Sequence, residues 1–117
     1  MPNQNVSYHD KKWGYEKWIV NKKEYCGKLL FIEKGKHTSW HYHKVKDEVM
    51  FVQSGKITIY HSEQDEISTA QKSIISEGEA FHIPIGLRHR IVAEVDSEVF
   101  EFSTQHFNED SIRLIRS

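Results

Sequence analysis

The chain has 117 residues, 38% hydrophobic and 12% aromatic, with 16 Lys+Arg against 17 Asp+Glu, eight histidines and one cysteine. At this length a single domain over 1–117 is expected, because independent domains usually run to about 100–150 residues. A net charge of −1 lacks the basic excess of a nucleic-acid binder, and no polybasic run points to an anionic membrane surface.

In chain order, the first residues, Met1 to Asn5, are polar and lack the apolar segment of a secretory signal. They open an N-terminal arm over about residues 1–15. Segments rich in Val, Ile, Tyr, Phe and Thr then predict strands at 16–20, 25–33, 39–43, 48–53, 56–61, 72–75, 80–83, 89–93 and 98–104. Gly35, Gly55, Gly78 and Gly86 fall between them, and Ser54-Gly55 reads as a tight hairpin turn. Residues 61–70 (HSEQDEISTA) form a polar connection expected to be an exposed loop. The tail over 107–117 reads as one last strand or a short turn of helix. Short apolar runs such as Ile91-Val92-Ala93 cannot span a bilayer as a helix. The lone Cys26 cannot close an intrachain disulfide, so a cytoplasmic setting is expected, with Cys26 as a small buried hydrophobe. Many short antiparallel strands in one domain make an all-β sandwich or small barrel.

The chemistry gathers in two stretches. His41 and His43 lie two apart, so on a strand both imidazoles share one face. Residues 44–47 are long enough to turn the chain and bring Glu48 in from the neighbouring strand. In the second stretch Pro84 and Gly86 bend the chain before a strand that opens near His89. Three neutral imidazoles and one carboxylate suit one divalent first-row ion per chain: Mn, Fe, Co, Ni, Cu or Zn. In an octahedral ion four protein ligands leave two positions open, as a catalytic site requires. His9 and His61 read as surface or core residues, His37 as a rim residue, and His82 as a candidate for lining the pocket.

These stretches resemble the two motifs of the cupin superfamily, G-x5-H-x-H-x4-E-x6-G and G-x5-P-x-G-x2-H-x3-N. The first is matched by Gly35, His41, His43, Glu48 and Gly55; the second by Gly78, Pro84, Gly86 and His89, with Ala93 in place of the final Asn. The resemblance implies a jelly-roll barrel (the double-stranded β-helix) with His41, His43, Glu48 and His89 as metal ligands.

Two further segments, Lys12-Trp13-Gly14-Tyr15-Glu16 and the run from Glu101 through His106 to Arg113, are more loosely similar to cupin phosphomannose isomerases and related sugar isomerases. This implies a metal-dependent isomerase of a small sugar or sugar phosphate. Alternation over 99–103 puts Glu101 and Ser103 on the face opposite Phe100 and Phe102, and a carboxylate facing a barrel interior is costly unless paired or functional. Glu101 is therefore the candidate general base. Lys28, His82 and His106 are candidate substrate-binding residues, Lys28 for an enediolate or an anionic group. Two other readings stay open at this point, an Fe(II) dioxygenase of a chelating substrate and a non-enzymatic binder of a sugar or small effector.

A homodimer is also expected. If His41 and His43 face inward, Trp40 and Tyr42 face outward, and such an aromatic patch on a small barrel invites cover. The arm around Trp13 and Trp18, from the same or a neighbouring subunit, is the expected cover.

Overall fold

The protein is described by a computed structural model over residues 3–117; Met1 and Pro2, the first residues of the expected arm, lie outside the described residues. Eleven strands form: β1 (Ser7–Lys11), β2 (Gly14–Asn21), β3 (Cys26–Ile32), β4 (Trp40–His43), β5 (Glu48–Ser54), β6 (Lys56–Ser62), β7 (Gln71–Ser76), β8 (Ala80–Ile83), β9 (Arg88–Ala93), β10 (Ser97–Ser103) and β11 (Ser111–Ile115). Two sheets, ordered β1-β2-β3-β10-β5-β8 and β11-β4-β9-β6-β7, are antiparallel throughout. This is the expected all-β fold, and among the described residues no helix is long and apolar enough to cross a membrane.

Each of the nine expected strands forms within two residues of its expected ends. Two strands go beyond that expectation. The N-terminal arm is itself a strand, β1, hairpin-paired with β2 from Ser7↔Trp18 to Lys11↔Gly14. Its sequence, SYHDK, is too polar to announce a strand. The tail resolves as both of its alternatives in succession, a 3-10 turn at Asn108–Asp110 and then β11.

Alternation along the strands divides the interior into two zones. The inward positions of β5 are Glu48, Met50 and Val52; those of β9 are His89, Ile91 and Ala93; those of β10 are Glu101, Val99 and Ser97. In each strand the ionisable side chain lies toward one end, and apolar side chains follow it inward, with Ser97 closing the series on β10. Antiparallel pairing sets Glu101 opposite Met50 and Ser103 opposite Glu48. The polar ends therefore coincide at one end of the barrel. The other end is closed by a core that includes Ile32, Val52, Ile57, Ile59, Ile91 and Val99.

At the apolar end the β5–β6 hairpin turns on Gly55, whose φ is +93°. A Cβ there would lie 2.7 Å from the Asp96 carbonyl oxygen and would also run into Ser97. Glycine is required here both by the positive φ and by the close approach of the β9–β10 turn.

The expected aromatic patch does not exist. Trp40 is 0% exposed, and its Nε1–H donates to the Asp65 carbonyl oxygen at 2.7 Å. The Asp65 carboxylate pairs with Arg88 at 2.8 Å, and the Arg88 guanidinium lies 3.8 Å from the centre of the Tyr42 ring. Both aromatics thus find their cover in their own chain, in the polar connection that the sequence presents as a free loop. Trp13 does not contribute to this cover; it is buried in the core.

Candidate metal centre

The three histidines converge on the inner face of one sheet, where β4 and β9 are neighbours. β4 brings His41 and His43 inward, and His41 sits directly opposite His89 on β9. Ring centroids lie 4.3 Å apart for His41–His89, 5.0 Å for His41–His43 and 5.6 Å for His43–His89. One nitrogen of each can lie within 4.8 Å of the others, a grouping that can hold a metal ion.

The orientation of the rings decides which nitrogens are free. His41 Nδ1 lies 3.0 Å from the Ser39 carbonyl oxygen, and His89 Nδ1 lies 2.9 Å from that of Leu87. A carbonyl only accepts, so each Nδ1 carries the proton and donates. The Nε2 lone pairs then remain for a metal, the usual outer-sphere arrangement of a ligating imidazole. His43 is backed by Ser111 Oγ at 3.4 Å from its Nδ1.

Glu48 completes the group from the first position of β5. It is 1% exposed, and one of its oxygens, Oε2, stands 3.3 Å from Nε2 of both His43 and His89. Neither contact has hydrogen-bond geometry, and among the described residues both buried Glu48 oxygens have no hydrogen-bond partner. A buried carboxylate left this way is costly, and a divalent cation among these nitrogens and oxygens would relieve the cost. The residues present fit a first-row ion.

The electrostatics agree. Burial alone would raise the Glu48 carboxyl, but the Lys46 ammonium beside it holds it well below the usual carboxylate range. His41 is pushed well below the ordinary imidazole value, first by burial and then by its two histidine neighbours. The carboxylate is charged and the imidazole neutral, the states in which both groups ligate.

A cavity of about 830 Å³ opens from this centre toward the inner face of the other sheet. Glu101, 4% exposed, lines it. The Glu101 Oε2 accepts from Lys46 Nζ at 2.8 Å and from Ser103 Oγ at 3.1 Å. Lys46 also reaches Glu48 Oε1 at 3.5 Å, so one ammonium bridges the two carboxylates. Burial alone would lower the Lys46 ammonium, but Glu101 and Glu48 carry it above its ordinary value. Lys28, 1% exposed, lies cross-strand from Glu101, 3.6 Å from Glu16 Oε1 and 4.2 Å from the centre of the Trp18 ring. Trp18 Nε1–H donates to the same Glu16 oxygen at 2.9 Å.

His106 also borders the cavity, its Nδ1 3.2 Å from Lys46 Nζ. Its imidazole is pushed down to about 4, first by burial and then by Lys28 and Lys46. Neutral at ordinary pH, it accepts from Lys46 through Nδ1.

Of the sequence-derived candidates, His41, His43, Glu48, His89, Glu101, Lys28 and His106 come together around this cavity. His82 does not. On β8, alternation sends Ile83 inward and His82 outward, where its side chain is 57% exposed and meets Asp47 at 2.7 Å. His37 stays outside the three-histidine group, held to the Thr38 carbonyl. Cys26 is buried, its thiol raised first by burial and then by Glu101. Sequence reasoning did not single out Lys46, and it gave no role of their own to Glu16 and Asp110, which fall within the two further segments. Lys46 lies in a turn, where alternation assigns no face; Glu16 lies on an expected strand and could have been found by its parity with Trp18.

The family model described as "Cupin domain" matches residues 28–103. No curated protein matches the sequence. Among solved structures, the capsular polysaccharide assembling protein CapF from Staphylococcus aureus superposes with a TM-score of 0.81 at 18% identity over 95% of this chain and 34% of that one. KdgF from Halomonas sp. gives 0.74 at 20% identity over 88% of this chain and 89% of that one. Bacillus subtilis oxalate decarboxylase gives 0.81 at 19% identity over 94% and 30%. The chain therefore spans about a third of CapF and of oxalate decarboxylase, and at these identities the likeness is one of fold. With the family match running from Lys28 through His41, His43, Glu48 and His89 to Ser103, the chain belongs to the cupin domain family.

Proposed function

We propose that this cupin is a metal-dependent isomerase of a small sugar or sugar phosphate, interconverting an α-hydroxy aldehyde and the corresponding ketone. The observation that carries the reading is the state of Glu101. Its Oε2 is fixed by Lys46 and Ser103, while Oε1 has no hydrogen-bond partner among the described residues, on the wall of the cavity that holds the metal centre. One carboxylate oxygen is anchored and the other is free to exchange a proton with a ligand.

His41, His43, Glu48 and His89 would hold the ion, which supplies Lewis-acid polarisation of adjacent carbonyl and hydroxyl oxygens. Glu101 Oε1 takes the proton from the hydroxyl-bearing carbon and returns it to the former carbonyl carbon. The hydroxyl proton moves to the other oxygen, so the formula is unchanged. Such a positioned base contributes typically about 10²–10⁴-fold. Lys28 provides N–H donors for an enediolate or an anionic substituent, with the Trp18 ring beside it. CapF has been solved with 3-isopropenyl-tropolone as inhibitor; a tropolone carries its carbonyl and hydroxyl on neighbouring carbons, the same oxygen pair that an α-hydroxycarbonyl sugar offers. The functional unit we propose is a homodimer.

The test is a screen of metals against aldoses, ketoses and their phosphates in deuterated water, read as solvent deuterium appearing at the carbon next to the carbonyl. The expected result is exchange in the wild type and its loss in Glu101→Gln at unchanged metal content. Oxygen consumption without isomerisation would overturn the reading in favour of a dioxygenase, and metal uptake with no turnover in favour of a binder.

A further inference from the structure

We infer that Asp110 is a positioning residue for the metal centre, so that a segment beyond the 28–103 cupin match sets the metal affinity of this chain. The inference rests on the metal reading above. Asp110 is 7% exposed, at the end of the 3-10 turn that precedes β11. Its carboxylate accepts the backbone N–H groups of three successive residues: Lys44 at 2.9 Å and Val45 at 2.8 Å on Oδ1, and Lys46 at 3.0 Å on Oδ2. Successive amides aimed at one anion form a nest, and hydrogen bonds to a charged acceptor are the strong kind.

These are three of the four residues that link two candidate ligands, since His43 precedes Lys44 and only Asp47 stands between Lys46 and Glu48. At Lys44 and Val45, whose side chains are exposed, packing does little to hold the link. One carboxylate therefore holds three of the four link residues in place, while Asp47 is held by Thr104, whose Oγ1 accepts the Asp47 N–H at 3.1 Å. The Asp110 carboxylate also fixes the starting point of the Lys46 side chain, whose ammonium bridges Glu48 and Glu101. On the other side, Asp110 Oδ2 stands 3.7 Å from His43 Nδ1, with Ser111 Oγ at 3.4 Å. A negative oxygen behind Nδ1 favours the proton there and raises the donor strength of Nε2. Asp110 thus acts on the metal through both the loop and the ring.

The experiment uses the full chain with zinc as the probe. Asp110→Asn keeps the shape but turns an amide toward the Lys46 N–H and the His43 ring. Competition with a fluorescent chelator should show zinc affinity lower by about 10- to 100-fold, with the metal-free variant as folded as the wild type by circular dichroism. The exposed neighbour variant Asp47→Asn should keep wild-type affinity. A folded Asp110→Asn that binds zinc within twofold of the wild type overturns the inference alone; a wild type that takes up no metal overturns the metal reading with it. Where Asp110→Asn does not fold, the zinc-loaded wild type decides by nitrogen-15 NMR. A downfield, slowly exchanging Nδ1–H on His43 supports the inference, and a rapidly exchanging one overturns it.

Discussion

Lys46 and Glu101 meet 2.8 Å apart inside the barrel, although 55 residues separate them in sequence and both side chains are almost fully buried. The pair stands beside the candidate ligand Glu48, which Lys46 also touches at 3.5 Å. One cation thus serves two carboxylates, one that can hold a metal and one that faces the cavity. Buried ion pairs add little net stability when intact, yet removing one partner leaves an uncompensated charge and is expensive.

Lys46→Met applies this arithmetic. The metal-free variant should lose about 3–5 kcal/mol, because two buried carboxylates lose their common counterion. A divalent ion supplies positive charge at the same place, so adding metal should raise the melting temperature of the variant by more than it raises that of the wild type. Thermal unfolding with and without metal measures both. Equal metal-dependent gains in the two proteins would show that Lys46 and the ion do not share this role.

The convergence of the candidate ligands was legible in the sequence, because it follows from alternation plus two fixed spacings. His41 and His43 share a face by period two, and Glu48 and His89 stand at the two ends of a recognisable pattern. Glu101 was legible by the same parity. The same rule misled at Trp40, where it gave the face correctly but not what lies over that face. Asp65 reaches Trp40 from 25 positions away, through a carbonyl that any residue would supply. Lys46 and Asp110 were hidden for a related reason: one lies in a turn and the other in a short 3-10 segment, where no periodicity assigns a direction. Their roles come from long-range hydrogen bonds, which depend on the closure of the barrel and not on local pattern.

His106 gives a pH dependence with a defined sign. Its imidazole is pushed down to about 4 in the fold, against about 6.5 when unfolded. Between those values the unfolded chain binds the proton and the folded chain does not. Stability should therefore rise with pH across this window and be lost as pH falls from about 6.5 toward about 4. Urea midpoints of metal-free protein at about pH 7 and about pH 4.5 measure the loss. It should be smaller in His106→Gln than in the wild type, and equal losses would remove His106 from the account.

Gly55→Ala should destabilise by about 2–4 kcal/mol, combining a left-handed backbone with overpacking. The added Cβ meets the Asp96 carbonyl oxygen at 2.7 Å and the Ser97 Cα at 2.8 Å, both backbone atoms that cannot rotate away. Denaturant unfolding tests this, and metal content of the folded fraction should not change, because the turn lies at the apolar end of the barrel. A change below about 0.5 kcal/mol would mean that the β9–β10 turn gives way.

Trp40 supplies the last prediction, which separates its structural role from the proposed dimer. The indole is fully buried, and its N–H meets the Asp65 carbonyl at 2.7 Å. Trp40→Phe keeps most of the apolar bulk but leaves that carbonyl without its donor, a loss of about 1–3 kcal/mol. The 61–70 connection should then open more often, because Asp65 retains only its ion pair with Arg88, and partly exposed pairs of that kind contribute about 0–1 kcal/mol. Limited proteolysis should cut Trp40→Phe within 61–70 faster than the wild type. Sedimentation of the two at micromolar concentration should give the same oligomeric state, since this face is covered by its own chain. A shift of Trp40→Phe toward monomer with unchanged proteolysis would place a subunit, and not Asp65, over the indole.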